Sequence, residues 1–385
     1  MAAGRAYLDY NASAPLLPAA RAAMLAAFDV TANPSSVHSE GRAARRIVED
    51  ARRDVAALVG AKSEHVVFTS GATEAAATLL TPDWRMGRGA IRMSRLYVSQ
   101  ADHPCLLSGG GFGAEQTVKI GVDSRGVADL QALRIALEGH DKSEGLPLVA
   151  IHAANNETGV IQPLTAIGAI VKAAGGILAI DAVQAAGRIP LDITAGYADF
   201  LILSSHKMGG PKGVGALVCA SDRMTPRPLI QGGGQEKGHR AGTENLSGIA
   251  GFGAAARAAL ESLARIDAVR DTRDAIEEII LALAPEAQIF GRGVDRLANT
   301  VFFAIPGVKA ETAQIGFDLA SVALSAGSAC SSGKVGPSHV LKAMGYGDTD
   351  GALRVSIGEA TTEAEIEKFG AALAGLLARR ATKAA

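Results

Sequence analysis

Residues 200–213, Phe-Leu-Ile-Leu-Ser-Ser-His-Lys-Met-Gly-Gly-Pro-Lys-Gly, contain the pattern that decides the fold. The apolar run 200–203 is short and is followed by polar, glycine and proline residues, which predicts a buried strand. Lys207 then stands beyond the carboxyl end of that strand, where open α/β sheets bind their ligands. A lysine in this place either holds a phosphate as a point charge or bonds to an aldehyde cofactor such as pyridoxal phosphate. The simplest alternative is a solvated loop lysine, so the rest of the sequence has to decide.

Composition narrows the class of protein. A chain of 385 residues is long enough for a large and a smaller domain, and 48% hydrophobic residues with 45 glycines fit a soluble α/β protein rich in turns. The net charge of −1 provides no general attraction for nucleic acid or an anionic membrane. No apolar stretch approaches the ~18–20 residues that span a bilayer, and residues 1–10 lack the apolar core of a signal peptide. We therefore expect a cytoplasmic protein with no nucleic-acid or membrane partner.

The three cysteines suggest different roles. Cys105, Cys219 and Cys330 are far apart and form no Cys-x-x-Cys pair, which argues against a disulfide framework and a zinc site. Small and polar residues surround Cys330 over 325–333, so we predict an exposed loop and favour a nucleophilic cysteine over a buried thiol. Cys105 and Cys219 have apolar neighbours and are predicted to be ordinary partly buried thiols.

Apolar runs alternate with helix-period segments through most of the chain, which predicts βαβ units and a largely parallel sheet. The clearest segments are strands at 66–68, 147–152, 176–180 and 300–305, an antiparallel return at 213–219, and helices at 42–60, 246–283 and from about 362. We predict a large domain over residues 15–250. Residues 1–14 and 251–385 would form a smaller domain that carries the Cys330 loop.

Polar residues follow two of these strands. The segment 70–74 places a glycine turn and Thr73 at a helix N-terminus, where backbone N–H groups favour an anion, although an ordinary helix cap is the alternative. Asp181 ends a buried strand, so its carboxylate requires a cationic or N–H partner. That partner is either the pyridinium nitrogen of a pyridoxal cofactor or the first turn of a helix. Gln184 lies one turn further on, where its side chain can reach the same ligand.

A histidine precedes a proline at 103–104, a pair that favours extended backbone. His103 would then stack on a planar ring or transfer protons near neutral pH, or else serve only in the structure.

Taken in order, these and other blocks resemble cysteine desulfurases, pyridoxal phosphate enzymes of the class V aminotransferase group with the fold type I architecture. The resemblance implies an α/β fold with a large domain, whose mainly parallel sheet is of the seven-stranded type, and a smaller α+β domain. The blocks that carry it are 8–12, 33–38, 69–74, 103–104, 154–159, 181–184, 205–207, 232–236, 240–245, the Cys330 loop with 337–341, and 353–358.

The resemblance also implies roles for individual residues. Lys207 would bond to the cofactor aldehyde and later move the Cα proton of the substrate. Asp181 would pair with the pyridinium nitrogen, Gln184 with the ring hydroxyl, and His103 would stack over the ring. The remaining cofactor contacts would come from Ala72, Thr73, Asn156, Ser204, His206 and Thr243. The substrate contacts would come from Asn33, Asn156 and Arg354. Thr243 would reach over from a second subunit, which implies a homodimer.

The implied reaction converts L-cysteine to L-alanine and leaves the sulfur as a persulfide on Cys330. A long cysteine loop resembles the branch that supplies sulfur to iron–sulfur cluster scaffolds. Two alternatives remain open at this point: another class V enzyme, such as a selenocysteine lyase or an aminotransferase, and a non-catalytic sulfur-carrier subunit. The chain departs from the family pattern at Tyr10, at 75–77 and at Glu359.

Overall fold

The computed structural model describes the backbone of residues 4–327, 338–347 and 351–384, with side chains as far as residue 380. Cys330 and most of its loop lie outside the described residues. The strands are β1 Ala6–Tyr7, β2 Val66–Thr69, β3 Asp83–Met86, β4 Gly89–Ser99, β5 Thr117–Ile120, β6 Leu146–His152, β7 Ile177–Asp181, β8 Phe200–Ser204, β9 Gly215–Cys219, β10 Met224–Pro226, β11 Gln288–Ile289, β12 Thr300–Ala304, β13 Val322–Ala323, β14 Ser325–Ala326 and β15 Leu353–Ser356. The α-helices are α1 Pro18–Phe28, α2 Ser39–Leu58, α3 Ala72–Leu79, α4 Pro104–Leu107, α5 Leu130–Glu138, α6 Leu164–Ala173, α7 Leu246–Ser262, α8 Ile266–Leu283, α9 Ala310–Leu319, α10 His339–Ala343 and α11 Glu363–Ala384.

The large sheet has nine strands. Seven of them follow the order β2-β9-β8-β7-β6-β4-β5, and the first half of β4 also pairs with β3, which pairs with β10. Strands β5, β4, β6, β7 and β8 run parallel, and β9 is antiparallel to both of its neighbours. The predicted mainly parallel sheet and the antiparallel return at 213–219 are both confirmed.

Helices cover both faces of this sheet, which is why its central strands are apolar throughout rather than alternating. In β8, Leu201 and Leu203 pack into the core that contains α2 and α7, whereas Phe200 and Ile202 pack into the core that contains α3. Burial on both faces fixes the position of the strand, and with it the turn that carries Lys207.

A smaller antiparallel sheet, in the order β11-β12-β15-β14, forms the second body, and its core includes side chains from α8, α9 and α11. Phe317 of α9 stacks on Phe369 of α11 with ring centroids 5.5 Å apart. This arrangement confirms a smaller α+β body. The predicted limit at residue 250 falls inside α7, whose residues as far as Ala259 pack in the core of the large sheet. The domain limits themselves stay a prediction.

The helical stretch predicted over 246–283 is two α-helices, α7 and α8, joined by a short 3-10 turn at Leu263–Arg265. Within the described part of the chain, no helix is both long and apolar enough to cross a membrane.

Candidate active site

The carboxyl ends of β6, β7 and β8 bring the predicted site residues to one edge of the large sheet. His152 at the end of β6 pairs in register with Asp181 at the end of β7, and Lys207 follows β8 within a short 3-10 turn. Burial is the main cause of the pKa shifts of Asp181 and His103, raising the first to about 6 and lowering the second to about 4, and the charge of Lys207 is a smaller effect that acts on both. The edge predicted from the strand ends therefore exists.

The N-terminal segment lies along the lysine turn. The Lys207 Nζ donates hydrogen bonds to the carbonyl oxygens of Asn11, at 2.6 Å, and Ala12, at 2.9 Å. His206 Nδ1 is 3.3 Å from the Ser13 hydroxyl. Two carbonyl groups of the N-terminal segment therefore accept hydrogen bonds from this ammonium group.

Asn11 is a fully buried connector that the sequence analysis did not single out. Its Nδ2 donates to Thr300 Oγ1 of the smaller body at 2.9 Å and to the Asn156 carbonyl at 3.2 Å. Its Oδ1 accepts a hydrogen bond from Asn299 Nδ2 at 3.0 Å. One residue therefore ties the lysine turn to both bodies of the molecule.

Asp181 and Gln184 are 7% and 5% exposed. Asp181 Oδ1 accepts a hydrogen bond from the Val183 N–H at 3.0 Å, and burial raises its pKa to about 6. A turn rather than an α-helix follows Asp181, so the helix-cap alternative is not what the structure shows. A buried carboxylate in this position is stabilised by a cationic group, which fits a protonated ring nitrogen.

His103 adopts the extended backbone expected before a proline and caps α4. Its Nδ1 accepts a hydrogen bond from the Cys105 N–H at 3.2 Å, and burial lowers its pKa to about 4, so the ring is neutral near pH 7. A neutral planar ring suits stacking on another ring.

Asp102 and His152 form a buried pair next to this edge of the sheet. The sequence analysis did not predict this pair. Asp102 Oδ1 lies 2.5 Å from His152 Nδ1, and Asp102 Oδ2 accepts a hydrogen bond from the Ser99 N–H at 2.6 Å. His152 Nε2 lies 3.1 Å from Gln162 Nε2. Asp102 directly precedes His103, so this network fixes the backbone from which the His103 ring projects.

The N-terminus of α3 is suited to an anion. The helix begins at Ala72 after Gly71, which provides no side-chain cap, and Thr73 is exposed in the first turn. Backbone N–H groups at an uncapped helix start attract phosphate. Strand β9 passes so close that a Cβ at Gly215 would lie 2.6 Å from the Gly71 carbonyl carbon.

Three further predicted phosphate contacts can be placed. Ser204 is buried at the end of β8, and His206 is partly buried, with burial lowering its pKa to about 4. Thr243 is exposed and lines a cavity of about 250 Å³ with Ser70 and Gly213. Its contribution to a partner subunit stays a prediction.

Arg354 is 1% exposed on β15 and faces the same region from the smaller body. It donates to the Asn156 carbonyl at 2.9 Å and to Asp9 Oδ1 at 2.8 Å. The structure therefore brings two of the three predicted substrate contacts together. Asn33 lies on an exposed turn, where its Oδ1 accepts a hydrogen bond from the Ser35 N–H, and the structure does not bring it into contact with Arg354.

The departures from the family pattern have local explanations. Glu359 forms an exposed ion pair with Arg265 at 3.1 Å. Tyr10 packs so closely over Gly358 that a Cβ there would lie 2.2 Å from its ring. Ala75 and Ala76 are fully buried under the large sheet.

Neither described cysteine is a reactive thiol. Cys105 and Cys219 are partly buried as predicted, and burial raises the pKa of Cys105 above its usual range and that of Cys219 to about 11. Thiols with raised pKa values carry little nucleophilic thiolate at neutral pH.

Residues 6–369 match the aminotransferase class-V family, and the chain belongs to this family. Its relatives include a cysteine desulfurase of Cereibacter sphaeroides, 41% identical over 374 residues that cover 95% of this chain and 94% of the relative. A cysteine desulfurase of Frankia sp. is 42% identical over 380 residues, covering 94% of this chain and 88% of the relative. Among solved structures, a NifS-like protein from Rickettsia africae superposes with a TM-score of 0.87 at 32% identity, covering 97% of this chain and 99% of that one. The predicted family and fold are confirmed.

Proposed function

We propose that this chain is a pyridoxal phosphate-dependent cysteine desulfurase that converts L-cysteine to L-alanine and carries the sulfur as a persulfide on Cys330. The proposal depends most on one observation. Asp181 ends β7 and Lys207 follows the adjacent strand β8 at the same edge of the sheet, and Arg354 donates a hydrogen bond to the Asn156 carbonyl from the other body. The names of the relatives support the same activity.

The residues present fit pyridoxal phosphate. The uncapped start of α3 offers N–H donors for a phosphate, and Asp181 offers a buried carboxylate for a protonated ring nitrogen. Lys207 offers an amine to the aldehyde, and His103 offers a flat neutral ring. When bound, the cofactor supplies an electron sink for bonds broken at the substrate Cα.

The chain's own residues would then bind the substrate and move its proton. Arg354 would hold the α-carboxylate as a two-pronged donor, helped by Asn156. The Lys207 amine would take the Cα proton and return one when alanine forms. Cys330, which lies outside the described residues, would accept the substrate sulfur as a persulfide.

We infer a homodimer in which Thr243 completes the phosphate site of the partner subunit, because this side chain is exposed and the family resemblance gives it that role. We also infer a cytoplasmic location and a protein that accepts the sulfur, such as an iron–sulfur scaffold. The family resemblance supports these three inferences by analogy.

The deciding experiment adds L-cysteine to the purified protein loaded with pyridoxal phosphate. We expect the bound cofactor to absorb near the edge of the visible range. We also expect released alanine and a Cys330 peptide whose mass is greater by one sulfur atom. Cys330→Ala should keep the absorbance but form neither persulfide nor alanine, and Cys219→Ala is the matched control that should behave like the wild type.

Other outcomes would contradict the proposal. Normal alanine production by Cys330→Ala would favour another class V enzyme that does not use this thiol. A protein that never takes up pyridoxal phosphate would favour a non-catalytic sulfur-carrier subunit.

A further inference from the structure

Arg188 bridges two residues of the cofactor edge, and the roles described so far leave it unexplained. Its Nη1 donates to the Gln184 backbone carbonyl at 3.2 Å and also to the Gln184 side-chain Oε1. Its Nη2 donates to the Lys207 backbone carbonyl at 3.1 Å. One guanidinium group therefore connects the turn after β7 with the turn after β8.

The two neighbours of the Gln184 amide fix its orientation. Arginine has only donors, so the Gln184 Oε1 must face Arg188. The Asn11 carbonyl only accepts, so the Gln184 Nε2 must face Asn11, and it lies 3.0 Å from that oxygen. With its carbonyl already occupied, Gln184 presents N–H donors, not an acceptor, to a ligand atom at this edge.

Arg188 also brings positive charge to the site. Burial lowers its pKa to about 9, and the nearby Arg354 acts in the same direction, yet the group remains charged at neutral pH. Among the described residues, none raises this pKa through an opposing negative charge. Arg188 lines a cavity of about 290 Å³ together with Lys207 and Arg265.

We propose that Arg188 is a positioning residue that orients the Gln184 amide so that its N–H stabilises the anionic ring oxygen of bound pyridoxal phosphate. This inference rests on the proposed function. In this inference Arg188 need not touch the cofactor, because it acts on the cofactor only through Gln184. Loss of the arginine would leave the Gln184 carbonyl without this donor, so that only the Asn11 contact would still hold the amide and its N–H would be held less firmly toward the ring oxygen.

The experiment records the absorbance of bound pyridoxal phosphate as a function of pH, in the full-length protein without substrate. The spectral pKa is the pH at the midpoint of the absorbance change. We expect Gln184→Ala and Arg188→Met each to raise this spectral pKa by about 1, because each removes the donor that stabilises the charged oxygen. Combining them should add nothing further, since both act through one hydrogen bond. Arg265→Met, an arginine that lines the same cavity, is the control and should leave the spectral pKa unchanged.

An unchanged spectral pKa in Arg188→Met would overturn the inference while the proposed function stands. Additive shifts in the double variant would overturn the route through Gln184. If Arg188→Met does not fold, Arg188→Lys is tested instead, because it keeps the charge but loses the guanidinium N–H donors that reach both Gln184 and Lys207. A wild-type spectral pKa in Arg188→Lys would count against the inference. A wild-type protein that binds no pyridoxal phosphate would overturn the proposed function and this inference together.

Discussion

At the ring end of the candidate site, Asp181 and Gln184 are at most 7% exposed, whereas at the phosphate end Thr73 and Thr243 are exposed. The ring-end groups already have partners within the chain: Val183 for Asp181, Asn11 and Arg188 for Gln184. The phosphate end instead offers a helix start without a side-chain cap. The fold therefore holds the ring-end side chains in place, whereas the phosphate end is accessible to a ligand or a second subunit.

The open end nevertheless stands on a rigid support. Arg52 and Glu236 form a buried two-pronged ion pair, with distances of 2.6 and 2.9 Å, and Glu236 also accepts a hydrogen bond from the Phe68 N–H at 3.0 Å. Glu236 has a φ of +47°, a strained conformation that the ion pair maintains. The same loop continues to Arg240, which bonds to Glu74 of α3 at 3.1 Å. The comparison shows that exposed donors can still be fixed by buried neighbours.

The largest effect is expected at the ring end. Lys207→Ala should reduce alanine production by about a thousandfold or more, because no other amine in the turn replaces the group that bonds the cofactor and moves the proton. Turnover is measured with pyridoxal phosphate in excess. Lys212→Ala, an exposed lysine in the same segment, is the matched control. Comparable turnover in the two variants would mean that Lys207 is not the reacting lysine.

A second variant tests the support beneath the phosphate end. Glu236→Gln removes the buried countercharge of Arg52 and leaves only the more exposed Glu49, at 3.3 Å, so we expect a loss of about 3 kcal/mol in the free energy of unfolding. Glu359→Gln removes an exposed ion pair and should cost no more than about 1 kcal/mol. Urea unfolding of the two variants compares these losses directly. Equal losses would contradict the view that the exposed end depends on a buried support.

The sequence predicted those features that depend on local pattern. Apolar runs bounded by turns located β6, β7 and β8, and because parallel strands end at one edge, Asp181 and Lys207 could be placed together in advance. Burial on both faces of the sheet makes these runs easy to recognise.

Connections between residues far apart in the sequence could not be predicted in this way. Asn11 bonds to Thr300, and Arg52 bonds to Glu236, across separations of 289 and 184 positions. No periodicity links residues so far apart. Arg188 did carry a weak local signal, since it lies four positions after Gln184 and can reach back over one turn.

The smallest expected effect concerns the pH dependence of the free protein. Burial and the charges of Lys207 and His339 lower the pKa of His103 to about 4, against the opposing effect of Asp102. Between pH 6.5 and 4 the unfolded chain binds a proton at this residue that the folded chain does not. The stability present above pH 6.5 is therefore lost as the pH falls.

His103→Gln removes this titration. Between pH 7 and pH 5, the wild type should lose about 1–2 kcal/mol more of its free energy of unfolding than the variant does. Asp181 and Glu157, whose pKa values burial raises to about 6 and about 7, act in the opposite direction, but they are present in both proteins and cancel in the difference. The measurement is urea unfolding of cofactor-free protein at the two pH values. Identical losses in wild type and variant would show that the His103 ring is solvated, and the ring end would then be less rigidly enclosed than the phosphate support.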